Sequence, residues 1–188
     1  MKFKELVRES RSYRRFKQTP IPENTLRELV DLARIAPTGA NQQPLKFLLS
    51  CDSVTNAKIF PCTAWAAALK GWPGPAEDER PTAYVVILLD RDIAKGSGQN
   101  AGIAAQTMAL AAAEQGIGAC MIGSINRSRL RENLELPEKY QIELILALGI
   151  PGETVVLEDV PPQASLDYYR DENDVHHVPK RTLDEVIV

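Results

Sequence analysis

Histidine and cysteine are scarce in this chain of 188 residues, and their placement excludes several chemistries. The two histidines, His176 and His177, are adjacent and have no third ligand at metal-binding spacing, so we predict no metal site. The three cysteines, Cys51, Cys62 and Cys120, are odd in number and show no CxxC spacing. We therefore expect neither a disulfide framework nor a cysteine-rich zinc site, and interpret the cysteines as small buried hydrophobes.

Long apolar runs and an excess of positive charge are also missing. The longest clean apolar run, Val85 to Leu89, is far too short to span a bilayer, and the opening MKFKELVRES lacks the apolar stretch of a signal peptide. The formal net charge is -3 and the pI is near 5.5. Because nucleic acids and anionic membranes recruit broadly basic surfaces, we expect neither as a partner. The lack of a signal peptide and of a membrane-spanning run leads us to expect a cytoplasmic protein.

Motifs for nucleophilic, zinc-protease or P-loop chemistry are absent: the sequence has no GxSxG, HExxH or Walker pattern. Residues 96–101, GSGQNA, fit the form of a dinucleotide fingerprint, but five residues separate them from Asp90. That fingerprint requires a tight turn between strand and helix, so we reject it. The sequence thus predicts no catalytic side chain.

The hydrophobic content of 44% is ordinary for a soluble globular protein and favours one domain over residues 1–188, with an extended tail over 160–188. Strands that alternate with helices predict a layered mixed fold. Apolar periodicity and turn residues predict elements in this order: a short helix at Phe3–Val7, a helix after Ile21 with Pro22 in its first turn, a strand at Phe47–Leu49, helices around 54–60 and 62–70, a strand at Ala83–Leu89, a helix over 99–115, a strand over 119–122, a helix at Asn126–Leu134, a strand at Ile142–Leu148 and a strand-like end at Glu185–Val188.

The arginine segment, RSYRRF at residues 11–16, is the first candidate site. Arg11, Arg14 and Arg15 can bind phosphate through directional hydrogen bonds, and the Ser12 hydroxyl adds another. A solvated basic loop is the alternative interpretation. Lys180–Arg181 supplies a second cationic pair near the end of the chain.

Two further loops carry candidate binding groups. PTGANQQP, residues 37–44, offers Thr38, Asn41 and Gln43, whose hydroxyl and amide groups suit the edge of a heterocycle, although a plain turn would need the same residues. In GIGACMIGSINR, residues 116–127, a strand ends at Gly123 and Ser124, which leaves backbone N–H groups available to a reducible ring nitrogen.

A segment rich in proline and glycine, GWPGPAEDERP, is interpreted as an exposed flap; Trp65 precedes it and Trp72 lies at its start. Trp65 and Trp72 are candidates for stacking on a flat substrate, although packing is the commoner role of tryptophan.

In order along the chain, RSYRRF, APTGANQQP, WAAALKGWPGP with ERPTAYVVILL, GIGACMIGSINR and HHVPKRTLDEV resemble the FMN-dependent nitroreductase family. The resemblance covers essentially the whole chain. It implies an α+β fold, a three-layer α/β/α sandwich with a mixed central sheet, and a homodimer whose C-terminal tails embrace the partner. It also implies FMN at the subunit interface, and hydride transfer from NAD(P)H to the flavin and on to an electron-poor acceptor such as a nitroaromatic or quinone.

The resemblance also implies roles for individual residues. Arg11, Ser12 and Arg14 match the phosphate-binding segment, with the choice between Arg14 and Arg15 left open, and Arg181 with Lys180 joins them from the tail. The remaining matches are Pro37 and Thr38 beside the phosphate and ribityl chain, Asn41 and Gln43 near the flavin, and Gly123 and Ser124 at flavin N5. Ser10 and Leu45 depart from the arginine and tryptophan of many relatives. A dedicated non-nitro substrate and a non-catalytic flavin-sensing dimer remain as alternatives.

Overall fold

Six helices occur in the computed structural model, which describes residues 2–188. They are α1 (Phe3–Glu9), α2 (Glu23–Arg34), α3 (Ser53–Ile59), α4 (Asn100–Glu114), α5 (Arg127–Asn133) and α6 (Leu183–Val186). Three single turns of 3₁₀ helix, at Gly39–Asn41, Phe60–Cys62 and Glu77–Glu79, lie in the connections.

Eight strands make up the described sheets. They are β1 (Phe16–Lys17), β2 (Leu45–Ser50), β3 (Ala83–Asp90), β4 (Gly118–Ile122), β5 (Tyr140–Pro151), β6 (Val155–Val160), β7 (Tyr169–Arg170) and β8 (His176–Arg181).

The central sheet has β5 in its middle. β3 pairs with β5 and carries β2 on its outer side, whereas β4 pairs with β5 at Ile145–Gly149 and β1 pairs with it at Ile150 and Pro151. These ladders are all antiparallel, and the one parallel pairing described in this sheet is the bridge between Ser12 and Ala119. The expected mixed sheet is therefore an antiparallel sheet with a single parallel bridge at its edge.

Strand β3 is covered on both faces, and all of its residues are buried. Val85 and Ile87 belong to the core cluster beneath α2 and α4, whereas Tyr84 and Val86 belong to a second cluster with Ile59 of α3 and Leu130 of α5. Side chains of a strand alternate between its two faces, so this one apolar run contributes residues to both hydrophobic cores. This arrangement confirms the predicted three-layer sandwich.

Composition explains how the two helices on the first face pack. In α2 the buried residues Leu26, Leu29 and Ala33 follow helical spacing, which makes one apolar stripe. In α4 buried alanines surround Met108, and small side chains allow close approach to both α2 and the sheet. Pro22, expected in the first turn of α2, instead precedes the helix as its N-cap residue.

Two sequence-based expectations are wrong. Residues 63–70 form turns rather than a helix, because Thr63 pairs with Ile125 and Ala66 has a positive φ of 42°, so tertiary pairing overrides the helix propensity of the alanines. The expected strand-like end at Glu185–Val188 lies partly in α6, whose first turn carries a capping box between Thr182 and Glu185.

A second, smaller sheet forms from the C-terminal part of the chain. β8 pairs in parallel with β6 and antiparallel with β7. The tail thus has regular structure of its own within the protomer, and its embrace of a partner subunit stays a prediction.

The two adjacent histidines of β8 lie in opposite environments. His177 has Nδ1 at 2.5 Å from Glu158 Oε1 and Nε2 at 3.2 Å from Asp171 Oδ2, and these two carboxylates raise its pKa. His176 is fully buried, and burial together with the nearby Arg14 guanidinium lowers its pKa to about 4. One imidazole is therefore stabilised as a cation and its neighbour as a neutral ring.

We predict that the two imidazoles titrate in separate ranges. The His177 Hε1 resonance shifts with an apparent pKa above 6.5, whereas the His176 resonance keeps its neutral position until the pH approaches about 4. Proton NMR across pH 4–9 checks this, with His177→Gln assigning the signals. Two resonances that titrate together near pH 6.5 would contradict the described environments.

We predict that Gly149→Ala destabilises the fold. A Cβ at Gly149 would lie 2.9 Å from Cδ1 of Phe16, a side chain that is itself buried. Such overpacking costs about 1–3 kcal/mol and lowers the Tm by roughly 2–4 °C per kcal/mol. Gly96→Ala is the matched control, since its Cβ would meet nothing within 4 Å; equal melting temperatures for the two variants would be the contrary result.

Candidate functional site

The carboxyl end of β4 presents two free backbone donors. The N–H groups of Gly123 and Ser124 make no hydrogen bond to any other residue in the described range 2–188. The carbonyl of Ser124 is fixed by Ala64, whose N–H donates to it at 3.0 Å, and Thr63 bridges Ile125. The turn is therefore held in place while its N–H groups remain available.

A cavity of about 250 Å³ lies at this strand end. Its wall combines one cation, two aromatic side chains, the loop that follows Thr63 and the end of β4; the lining residues are Arg14, Ala64, Trp65, Ala66, Ala67, Cys120, Met121, Ile122, Gly123, Ser124 and Tyr168. Gly123, Ser124 and Trp65, all predicted from the sequence, thus meet at one place.

The arginine segment runs along the outer edge of β4. Ser12 bridges Ala119 in parallel, and the N–H of Tyr13 donates to the carbonyl of Ala119 at 3.0 Å. From Ala119 to Gly123 the strand extends about 13 Å, at about 3.3 Å per residue. Arg11 and Ser12 therefore lie near one end of this edge, and the free N–H groups lie at the other.

Arg14 is oriented by residues of the tail. Its guanidinium carbon lies 4.4 Å from the ring centroid of Tyr168, and its Nη1 lies 3.0 Å from His176 Nε2. Because arginine can only donate, His176 accepts through Nε2 and carries its proton on Nδ1, which is buried without a partner. Arg14 also donates to the carbonyl of Ser12 at 3.3 Å.

Two nitrogens of the Arg11 guanidinium lie in different environments. Its Nη2 donates to the carbonyl of Val7 at 2.6 Å, at the end of α1, whereas its Nε is buried and has no partner. An unpaired buried N–H costs free energy, so this arginine is suited to an anionic acceptor.

Arg15 and Trp72, two of the expected site residues, do not line this cavity. Arg15 forms ion pairs with Glu79, at 3.3 Å, and with Asp174. Trp72 packs beside Arg15 and beside Arg170, whose guanidinium carbon is 4.6 Å from a Trp72 ring centroid. Of the two arginines left open by the sequence, Arg14 therefore lines the cavity and Arg15 is neutralised by carboxylates.

Residues 37–43 lie elsewhere in the protomer, at the start of α4. The N–H of Gly39 donates to Asn100 Oδ1 at 3.2 Å, and Asn41 and Gln43 have positive φ angles of 53° and 50°. Pro37, Asn41 and Gln43 are exposed, and none of this segment lines the cavity. Within one chain, the fold does not bring this segment to the arginine segment.

The tail cations are also separate from Arg14. Lys180 and Arg181 lie at the far end of β8 from His176, about 16 Å along the strand at about 3.3 Å per residue. Arg181 pairs instead with Glu185, at 3.3 Å. The predicted convergence of the two cationic stretches is not made by a single protomer.

Sequence reasoning missed Tyr168 and His176. Both lie in the polar tail, in DYYRDENDVHH, where an aromatic pair and a histidine pair were the available signal. Burial raises the pKa of the Cys120 thiol in the cavity wall to about 11, so that thiol stays protonated at neutral pH.

Over residues 2–188, no helix combines the length and apolar character needed to cross a membrane. In the same range, no three histidine, cysteine, aspartate or glutamate side chains are grouped so as to hold a metal ion.

Two proteins of known sequence are similar to this chain over most of its length. A protein of Methanothermobacter thermautotrophicus with the provisional name NADH dehydrogenase/NAD(P)H nitroreductase is 24% identical over 163 residues, which cover 83% of this chain and 81% of its own length. A Rhodospirillum rubrum protein named 5,6-dimethylbenzimidazole synthase is 26% identical over 172 residues, covering 76% and 79%.

Solved structures agree with this fold. A nitroreductase family protein from Streptococcus pneumoniae superimposes with a TM-score of 0.72 at 20% identity, over 100% of this chain and 99% of its own. An FMN-dependent nitroreductase from Clostridium difficile gives a TM-score of 0.63 at 21% identity, over 79% and 87%. The model of the nitroreductase family matches residues 7–150, most of the chain, and the protein belongs to that family.

Proposed function

We propose that this protein is an FMN-dependent oxidoreductase that takes hydride from NAD(P)H and reduces an electron-poor acceptor, such as a nitroaromatic or a quinone. The observation that carries the proposal is the edge of β4, along which arginines at one end lead to free backbone donors at the other. We further propose a cytoplasmic, single-domain subunit over residues 1–188.

The residues of this edge fit FMN. The orphaned Nε of Arg11 and the hydroxyl of Ser12 suit a phosphate, and Arg14 adds positive charge beside the cavity. The N–H groups of Gly123 and Ser124 suit a ring nitrogen, and Trp65 and Tyr168 offer aromatic surface to a flat ligand. The donor set thus matches an anionic group joined to a heterocycle.

A second subunit completes the site in this proposal. Pro37, Thr38, Asn41 and Gln43 lie away from the cavity in their own protomer, as do Lys180 and Arg181. In a homodimer, these residues would come from the partner to the cofactor bound along β4. The exposed, apolar C-terminal residues Leu183, Val186 and Ile187 support a tail that packs against another subunit.

Bound FMN supplies the redox chemistry, since the flavin accepts a hydride from a nicotinamide and gives up two electrons to the next substrate. The chain supplies position and charge. Backbone donors at Gly123 and Ser124 fix the ring orientation, and the arginines stabilise negative charge. No side-chain proton donor is required in this proposal.

A dedicated substrate is the main competing function. The similarity to the protein named 5,6-dimethylbenzimidazole synthase favours this alternative, because related proteins of one fold can catalyse different reactions. Steady NAD(P)H oxidation in the presence of menadione or a nitrofuran supports the general reductase. Reduction by dithionite but not by a nicotinamide would support a flavin-sensing dimer instead.

We predict that Arg11→Ala and Arg181→Ala each weaken FMN binding by about 10- to 100-fold, because each removes a charged hydrogen bond to the phosphate. Flavin fluorescence quenching on titration with FMN measures the Kd, and the yellow colour of the purified protein gives a second readout. The effect should shrink at high salt.

Arg8→Ala is the control for this loss of charge. Arg8 lies in the last turn of α1, is exposed and makes no hydrogen bond or ion pair within the described residues. Its FMN affinity should equal that of the unmodified protein. Unchanged affinity in both Arg11→Ala and Arg181→Ala would show that the phosphate is bound elsewhere.

We also predict that proline at position 123 or 124 slows flavin reduction by about 100-fold or more, because proline removes the N–H that faces the reacting nitrogen. Stopped-flow absorbance at the flavin band with excess NAD(P)H measures this step. Alanine at the same positions keeps the N–H and serves as the control. Equal rates for the proline and alanine variants at both positions would refute the backbone-donor assignment.

A further inference from the structure

A second cavity, of about 380 Å³, lies on the α3 side of the sheet. Its walls come from the start of β3, the start of α3, the residues after β1 and the end of the flap; they include Pro20, Asn56, Phe60, Glu77, Arg80 and Tyr84. None of the residues that line the β4 cavity lines this one. Nothing in the proposed flavin chemistry uses it.

Tyr84 is fully buried, and its hydroxyl has no hydrogen-bond partner. Burial raises the pKa of Tyr84, so the group is a neutral donor at physiological pH. A buried hydroxyl without a partner carries a desolvation cost that a ligand oxygen would remove.

Arg80 provides an unpaired cation beside this hydroxyl. Its guanidinium carbon lies 4.2 Å from the Phe60 ring centroid, and its Nε is buried without a partner. No carboxylate within residues 2–188 forms an ion pair with it. Arg80 and Tyr84 line the same cavity, and the positive charge of Arg80 partly offsets the rise in the pKa of Tyr84.

The neighbouring amide is already engaged. Asn56 donates to the carbonyl of Thr82 at 2.8 Å and accepts from Ser50 at 2.7 Å. Two lining residues, Tyr84 and Arg80, thus carry buried donors without a partner, and Phe60 and Pro20 add apolar surface. A neutral and a charged donor in the wall of one cavity match the two oxygens of a carboxylate.

Charge at the rim selects among anions. Glu77 is exposed at the edge of the cavity, and its carboxylate opposes a dianion more strongly than a monoanion. The apolar walls favour a ligand with a flat hydrocarbon body over inorganic phosphate.

We propose that this cavity is a binding site for a small aromatic monocarboxylate, with Arg80 and Tyr84 as its carboxylate receptors and Phe60 as an apolar wall. An aromatic pair connects the walls of the two cavities, since the ring centroids of Phe60 and Trp65 are 6.1 Å apart and Trp65 lines the β4 cavity.

Isothermal titration of the purified full-length protein with benzoate tests the proposal. We expect saturable binding with one site per chain, and a Kd raised about tenfold or more by Arg80→Gln and by Tyr84→Phe. Tyr84→Phe should also raise the Tm without ligand, because it removes the unpartnered hydroxyl, so loss of binding cannot be attributed to unfolding. Arg129→Gln is the matched control, an exposed arginine of α5 on the same side of the sheet.

Other outcomes would overturn the proposal. These are no heat of benzoate binding, equal affinity in all three variants, or binding of inorganic phosphate in place of benzoate. A crystal structure with benzoate should show carboxylate oxygens within about 3 Å of the Tyr84 hydroxyl and Arg80 Nε. Ordered water on both groups, with no benzoate, would contradict it. These readouts do not involve flavin turnover, so failure here leaves the oxidoreductase proposal standing.

Discussion

The backbone pairing between the arginine segment and β4 is the contact on which the proposed site depends. Ser12 and Tyr13 dock on Ala119, and this docking fixes where the guanidinium groups lie relative to the end of the strand. The close approach requires glycine at position 118, because a Cβ there would lie 2.8 Å from Cδ2 of Tyr13. One glycine and one short stretch of backbone thereby set the distance between a cationic region and a pair of free N–H donors.

The tail stabilises this arrangement from the other side. The carboxylate of Glu153 accepts from the backbone N–H groups of Arg14 and Arg15, and it pairs with Arg170 at 2.8 Å. Tyr168 and His176 then hold the Arg14 side chain against the cavity. A buried charge is stable only when its partners satisfy it, so the tail and the arginine segment form one connected network. In the proposed function, the C-terminal sheet thereby helps to position Arg14 beside the cofactor.

The sequence predicted the parts of this protein that depend on local patterns. The continuous apolar run of β3 and the alanine-rich α4 were found with nearly their observed bounds, because burial on all sides leaves a clear pattern along the chain. Residues 63–70 were mistaken for a helix, since their pairing partner, Ile125, is distant in sequence. The same limit applies to the cavity at the end of β4. Its lining residues Gly123, Ser124, Trp65 and Arg14 had been named from local motifs, whereas Tyr168 and His176 reach it through contacts with segments a hundred or more residues earlier.

A crystal structure of the protein with FMN tests the central claim most directly, namely that one edge of β4 positions both ends of the cofactor. The account predicts the phosphate against Arg11 and Ser12, flavin N5 about 3 Å from the N–H of Gly123 or Ser124, and the residues 37–43 and Arg181 supplied by a second subunit. A flavin bound away from β4, or a complex whose phosphate makes no contact with Arg11 or Ser12, would contradict it.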